Sequence, residues 1–150
     1  MANSPGDFLS MAIGIALRST LPKHKTGCIL VNANDEVIST GWSHMRDMNL
    51  ASYFSIHAEV HALERIGKLH GNVKAYIATV SGRRSRNITM GMPCLRCADY
   101  LFQRGVNTVY FTVDGLVRNF EYQRIDLNNI DINDRHFKRY RTPSEEQYAI

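Results

Sequence analysis

The sequence predicts an α/β fold: a mixed five-stranded sheet with helices on both faces, a three-layer α-β-α sandwich. Three observations carry this reading. Short apolar runs of strand length alternate with segments of helical apolar spacing, in the order α-β-β-α-β-α-β-β. Clusters of Gly, Asn, Asp and Pro separate them. A hydrophobic fraction of 44% in 150 residues suffices for one domain with its own core. The expected domain is the whole chain, with a core at about 7–122 and a C-terminal extension at 123–150.

Asp7 to Arg18 reads as the first helix, with Asp7 as its cap. Phe8, Met11, Ala12 and Ile15 form its apolar stripe, and Leu21-Pro22 lies beyond its end. Gly27 to Val31 and Glu36 to Thr40 read as strands joined through the turn cluster Asn32-Ala33-Asn34-Asp35. Gly41 to Ser55 reads as a loop. Ile56 to Leu69 carries Ala58, Ala62, Leu63 and Ile66 at helical spacing, and Gly71 follows it. Lys74 to Val80 is the third strand, and 81–92 is a loop. A further helix starts near Pro93 and stops at Gly105. Val106 to Val113 and Leu116 to Tyr122 complete the sheet. Asp114-Gly115 between them is a two-residue hairpin signal, so these two strands are expected antiparallel. Polar residues from Leu127 onward, with a basic aromatic stretch at Arg135 to Arg141, form a short helix near Arg135 to Tyr140 or cover the sheet.

No apolar run approaches the roughly 20 residues needed to span a bilayer. The start, Met1-Ala2-Asn3-Ser4-Pro5, lacks the layout of a secretory signal, and the expected location is the cytoplasm. Three cysteines are too few for a disulfide framework. A net charge of +4 permits an anionic partner and equally fits a solvated basic surface.

The chemistry concentrates in two short motifs. His57-Ala58-Glu59 opens one helix, and Pro93-Cys94-Leu95-Arg96-Cys97 opens another. Two cysteines three apart share a helix face. Unpaired N–H groups in a first turn stabilise thiolates there. One imidazole and two thiolates make three metal ligands, and a catalytic zinc keeps its fourth position for water. Glu59, two residues past His57, is placed to move protons without binding the metal. The competing reading is a non-catalytic structural zinc module closed by His61 or His44. A redox Cys94/Cys97 pair leaves His57 and Glu59 without a role.

These motifs resemble the signature of the cytidine and deoxycytidylate deaminase superfamily, His-x-Glu followed by Pro-Cys-x-x-Cys. Thr26 to Val31, Gly41 and Gly105 to Tyr110 extend the resemblance over roughly residues 7–122. It implies a cytidine deaminase-like fold, a zinc cofactor on His57, Cys94 and Cys97, proton transfer by Glu59, and a homo-oligomer. The implied reaction replaces the amino group of a nucleobase by water's oxygen and releases ammonia. The leading substrate is a small pyrimidine nucleotide, dCMP going to dUMP. The alternative is cytosine or adenine within DNA or RNA.

Substrate contacts are expected from Thr26, Ser43, His44, Ala58, Arg83, Arg84 and Arg86. Many relatives have an asparagine that contacts the sugar where this chain has Ser43. Trp42 is open to stacking on a base or to packing. The three arginines are open to gripping a phosphate or to forming a solvated loop. An antiparallel last strand pair resembles free-cytidine deaminases, which use three cysteines, and some toxin deaminases that act on nucleic acid with a histidine ligand.

Overall fold

A computed structural model describes residues 3–45, 55–82 and 86–129. The helix expected near Arg135 to Tyr140 lies outside them. The first helix, α1 (Pro5–Ala16), is capped by Ser4 rather than Asp7. Asp7 instead closes a capping box: its backbone N–H donates to Ser4 Oγ, and its carboxylate accepts from the Ser4 N–H.

Strands β1 (His24–Val31) and β2 (Val37–Trp42) form the expected antiparallel hairpin. The segment expected as a loop contains a small second sheet, β3 (His44–Met45) with β4 (Ser55–Ile56). It ties the end of β2 to the start of α2 (Ala58–Ile66). Strand β5 (Val73–Ser81) lies antiparallel to β1. The other expected loop holds β6 (Asn87–Thr89), and α3 (Leu95–Arg104) follows it. Strands β7 (Val106–Leu116) and β8 (Asn119–Asp126) finish the sheet, and a short 3-10 turn follows at Leu127–Asn129.

The main sheet thus has six strands in the order β2-β1-β5-β6-β7-β8, rather than five. The extra strand is a wedge. Strands β5 and β7 pair in parallel up to Ile77 and Phe111. Beyond that point β6 fills the gap, pairing with Thr79 to Ser81 on one side and Gly115-Leu116 on the other. Three residues between loop-like flanks are too few to show a strand period in sequence.

Strands β7 and β8 are antiparallel, as the sequence predicts, but the turn is not at Asp114-Gly115. Leu116 pairs with Asn119, so Val117-Arg118 make the turn. Gly115 lies inside the strand with φ of 124°, opposite Phe120. A Cβ there would sit 2.6 Å from the Asn119 carbonyl oxygen. Glycine serves a close approach here, which reads in sequence like a turn signal.

Alternating residues separate two apolar layers. Ile29, Val31, Tyr76, Ala78 and Val80 face α1 with its Phe8, Leu9, Ala12, Ile13 and Ala16. Cys28, Leu30, Val73, Ala75 and Ile77 face α2 and α3. This is the expected three-layer sandwich. Two glycines set how closely the helices approach. A Cβ on Gly27 would lie 2.2 Å from the Ala12 carbonyl oxygen of α1, and one on Gly41 2.4 Å from that of Ala58 in α2. No described helix is long and apolar enough to cross a membrane.

Candidate active site

Two helix starts meet on one face of the sheet. His57 is the N-cap residue of α2 and Cys94 that of α3. The β3–β4 pairing, His44 opposite Ile56, holds the chain immediately before His57. On the other side, Gly91 enters the gap between β5 and β7, and its N–H donates to the Thr112 carbonyl at 2.8 Å. A Cβ at Gly91 would meet the Ile77 carbonyl oxygen at 2.8 Å. The wedge that β6 makes in the sheet therefore delivers Pro93 and Cys94 to the start of α2.

The ligand atoms of His57, Cys94 and Cys97 all lie within 4.8 Å of one another. His57 Nδ1 is 3.1 Å from Cys97 Sγ, and the Cys97 N–H donates to Cys94 Sγ at 3.4 Å. Zinc bound tetrahedrally by nitrogen and sulfur sets its ligand atoms about 3.5–3.8 Å apart, so this donor set and spacing fit that ion. Among the described residues no fourth His, Cys, Asp or Glu joins the group. His61 and His44 do not close it: the Trp42 N–H donates to His61 Nδ1, and His44 Nδ1 donates to the Trp42 carbonyl.

The electrostatics suit a dication. A hydrogen bond from the Cys97 thiol, opposed by burial and aided by His57, draws Cys94 down to about 4. That same bond, burial and the Glu59 charge push Cys97 up. The Cys94 sulfur thus favours the thiolate form that a zinc ligand needs.

Glu59 is buried on the first turn of α2. Burial pushes its carboxyl above the ordinary glutamate range, and Cys94 acts in the same direction. His57, a backbone N–H and the Cys97 thiol pull the other way without prevailing. Cys28 lies in the same buried region. Its thiol is raised first by burial and then by the charge of Glu59, so it stays neutral among apolar neighbours.

The other expected contacts are placed as follows. Ser43 is buried, and its Oγ lies 3.0 Å from Ser19 Oγ and accepts from the Thr26 N–H at 3.0 Å. Thr26 Oγ1 pairs with Thr79 Oγ1 at 2.8 Å. Ala58 is fully buried beneath Gly41. His44 packs edge-on against His61. Trp42 packs edge-on against His61 as well, with its ring centroid 4.5 Å away. Arg86 is exposed just before β6, and its carbonyl accepts from the Val117 N–H. Arg83 and Arg84 lie outside the described residues. Sequence reading missed Ser19 and Thr79, which hold Ser43 and Thr26; isolated Ser and Thr residues carry no motif.

Helix starts converging on a three-ligand zinc site, over a mixed sheet with one helix behind it, define a class of zinc-binding deaminase folds. The family model for the cytidine and deoxycytidylate deaminase zinc-binding region matches residues 3–113, and the chain belongs to that family. Solved structures agree on the fold. A cytidine deaminase from Burkholderia pseudomallei is 14% identical with a TM-score of 0.56, over 83% of this chain and 94% of that one. A cytidine deaminase from Mycobacterium tuberculosis is 21% identical with a TM-score of 0.50, over 77% and 92%. A search of curated proteins found no match.

Proposed function

We propose that the chain is a single-domain, zinc-dependent hydrolytic deaminase that converts a cytosine nucleotide to its uracil form, with dCMP to dUMP as the leading reaction. One observation carries this reading. A buried carboxyl, Glu59, lies two residues from His57, whose ligand atom groups with those of Cys94 and Cys97 and with no fourth such residue among the described residues.

In this mechanism His57, Cys94 and Cys97 hold the ion. Zinc there supplies a Lewis acid that makes water reactive near neutral pH. Glu59 accepts a proton from the attacking water and returns it to the base, so that ammonia can leave. A carboxyl whose pKa is raised by burial is suited to both halves of that transfer. The balance is one water consumed and one ammonia released per base. Thr26, Ser43, His44 and Ala58 border the substrate on this reading, with Arg83, Arg84 and Arg86 as further contacts from the loop before β6. The net charge of +4 is compatible with such an anionic substrate. The protein acts in the cytoplasm as a homo-oligomer.

Ammonia release tests the reading. The zinc-loaded protein is offered dCMP, CMP, dCTP, cytidine, single-stranded DNA and tRNA. Turnover of dCMP is expected. Turnover of nucleic acid with no mononucleotide turned over would replace the leading substrate by a base within a strand. Glu59→Ala should keep about one zinc per chain and lose at least 10²–10⁴-fold in rate, the range for a positioned acid–base group. Full activity in that variant would remove Glu59 from the mechanism.

A further inference from the structure

Round Trp42 stands a cluster of basic side chains, of which the chemistry above uses only His44. The Cζ atoms of Arg18 and Arg65 lie over the Trp42 ring, 5.3 and 5.2 Å from its centroid. His61 packs edge-on against the same ring at 4.5 Å, and His44 against His61 at 4.6 Å. Arg18 follows α1, Trp42 ends β2, His44 opens β3, and His61 and Arg65 lie on α2. Tertiary structure alone brings them together.

The peptide groups of Trp42 also set the two imidazoles. A carbonyl only accepts, so His44 Nδ1 carries the proton it donates to the Trp42 oxygen at 2.8 Å. The Trp42 N–H donates to His61 Nδ1 at 3.1 Å, so the proton of neutral His61 is on Nε2. His61 therefore offers an N–H donor beside two guanidiniums. Arg65 is steadied by Nη1 donating to the Thr40 carbonyl at 3.0 Å, which leaves Nη2 for a ligand.

Nothing described neutralises this charge. The one ion pair among the described residues, Arg124–Asp126, is on β8 at the opposite edge of the sheet. Burial, and after it the neighbouring His44 and Arg65, hold His61 below the ordinary histidine range. Like charges gathered round one ring repel each other, and an anion seated between them removes that cost. Arginine forks match phosphate oxygens bidentately. The cluster is joined to the metal-ligand group through the first turn of α2. The His61 N–H donates to the His57 carbonyl at 3.0 Å, one helical turn away.

We propose that Arg18, Arg65 and His61, arrayed round Trp42, bind a phosphate group, that of the substrate. Assigning the phosphate to the substrate rests on the deaminase reading; phosphate binding itself does not.

Trp42 is the only tryptophan in the chain, so its emission reports on this cluster directly. The zinc-loaded protein is titrated with inorganic phosphate, dCMP, cytidine and a short single-stranded DNA, and Arg18→Gln/Arg65→Gln is titrated in parallel. The expected result is a saturable emission change with a phosphorylated ligand and none with cytidine. The double variant, matched in zinc content and far-UV circular dichroism, should bind at least tenfold more weakly. Should the double variant fail to fold, Arg18→Gln alone, at an exposed position, should still weaken binding at least threefold. Saturation by dCMP identifies a mononucleotide phosphate. Saturation by DNA alone, with the log-log salt slope reduced by about 1.4 in the double variant, identifies a strand backbone. An unchanged emission with all three phosphorylated ligands, or equal affinity in wild type and variants, overturns the proposal. Ammonia release separates the two readings. A Trp42 response without deamination of any substrate keeps this site and removes the deaminase reading. Deamination of dCMP without a Trp42 response does the reverse.

Discussion

Glu59 is 4% exposed, and burial raises its carboxyl above the ordinary glutamate range. The consequence for the metal-free chain follows by linkage. The native state holds the Glu59 proton at pH values where the unfolded chain, titrating near 4.3, has lost it. The folded form thus binds more protons between the two pKa values. Stability is present below the unfolded value and is lost as pH rises through the native one. Above the unfolded value, Glu59 burdens the zinc-free fold. Glu59→Gln should therefore melt higher than wild type at pH 7 in chelator, with the gap closing below about pH 4. Thermal melts across that range check it, and an equal gap at all pH values would contradict the linkage. The position of Glu59 is plain in sequence from its spacing to His57. Its burial is not, because one charged residue in a half-polar stretch reads the same whether exposed or covered.

Among the elements, α1 and α2 rest on the sheet through Gly27 and Gly41. In the sequence Gly41 marks the end of a strand, and Gly27 only opens one. In the fold each removes a side chain where a helix backbone comes within contact of a strand. Gly41→Ala drives a Cβ against the Ala58 carbonyl and must lift the start of α2, which carries His57. It should destabilise by about 1–3 kcal/mol and weaken zinc binding as well. Gly27→Ala meets α1, which carries no ligand. It should cost a similar amount of stability, about 1–3 kcal/mol, and leave zinc affinity near wild type. Denaturant melts with a competitive zinc titration separate the two effects, and equal zinc affinity in both variants would break the link between Gly41 and the site. The hairpin of β7 and β8 teaches the same lesson. Asp114-Gly115 correctly signals an antiparallel return, yet the turn forms at Val117-Arg118 because β6 pairs with residues 115–116 and prolongs the strand.

For the whole molecule, the zinc site joins the starts of two helices that are remote in the chain, so the ion acts as a fastener. Ligand binding to the native state stabilises it by about 4.1 kcal/mol at a thousandfold excess over Kd. For a domain of this length that is on the order of 10 °C in Tm. Chelation should lower the Tm by that order, and zinc, added back, should restore it. Acidification should release the ion as His57 and the two cysteines take up protons, so the zinc-dependent part of the Tm should fade with falling pH. A Tm indifferent to chelator would show that the site does not couple the helices.

The sequence by itself pointed to His57, Cys94 and Cys97 as a metal-binding group with Glu59 beside it, to the order of the three helices and the five longer strands, and to the family resemblance. Each of these is local: a few residues at fixed spacing, or a period of 2 or 3.6 along one segment. Only the tertiary structure decided the rest. It inserted β6 between β5 and β7, fixed the last turn, and occupied Ser43 with Ser19 and Thr26. It also gathered Arg18, His44, His61 and Arg65 round Trp42. The physical reason is that such contacts join residues from separate elements. Their positions depend on how closely helices settle onto a sheet, and no short window of sequence encodes that.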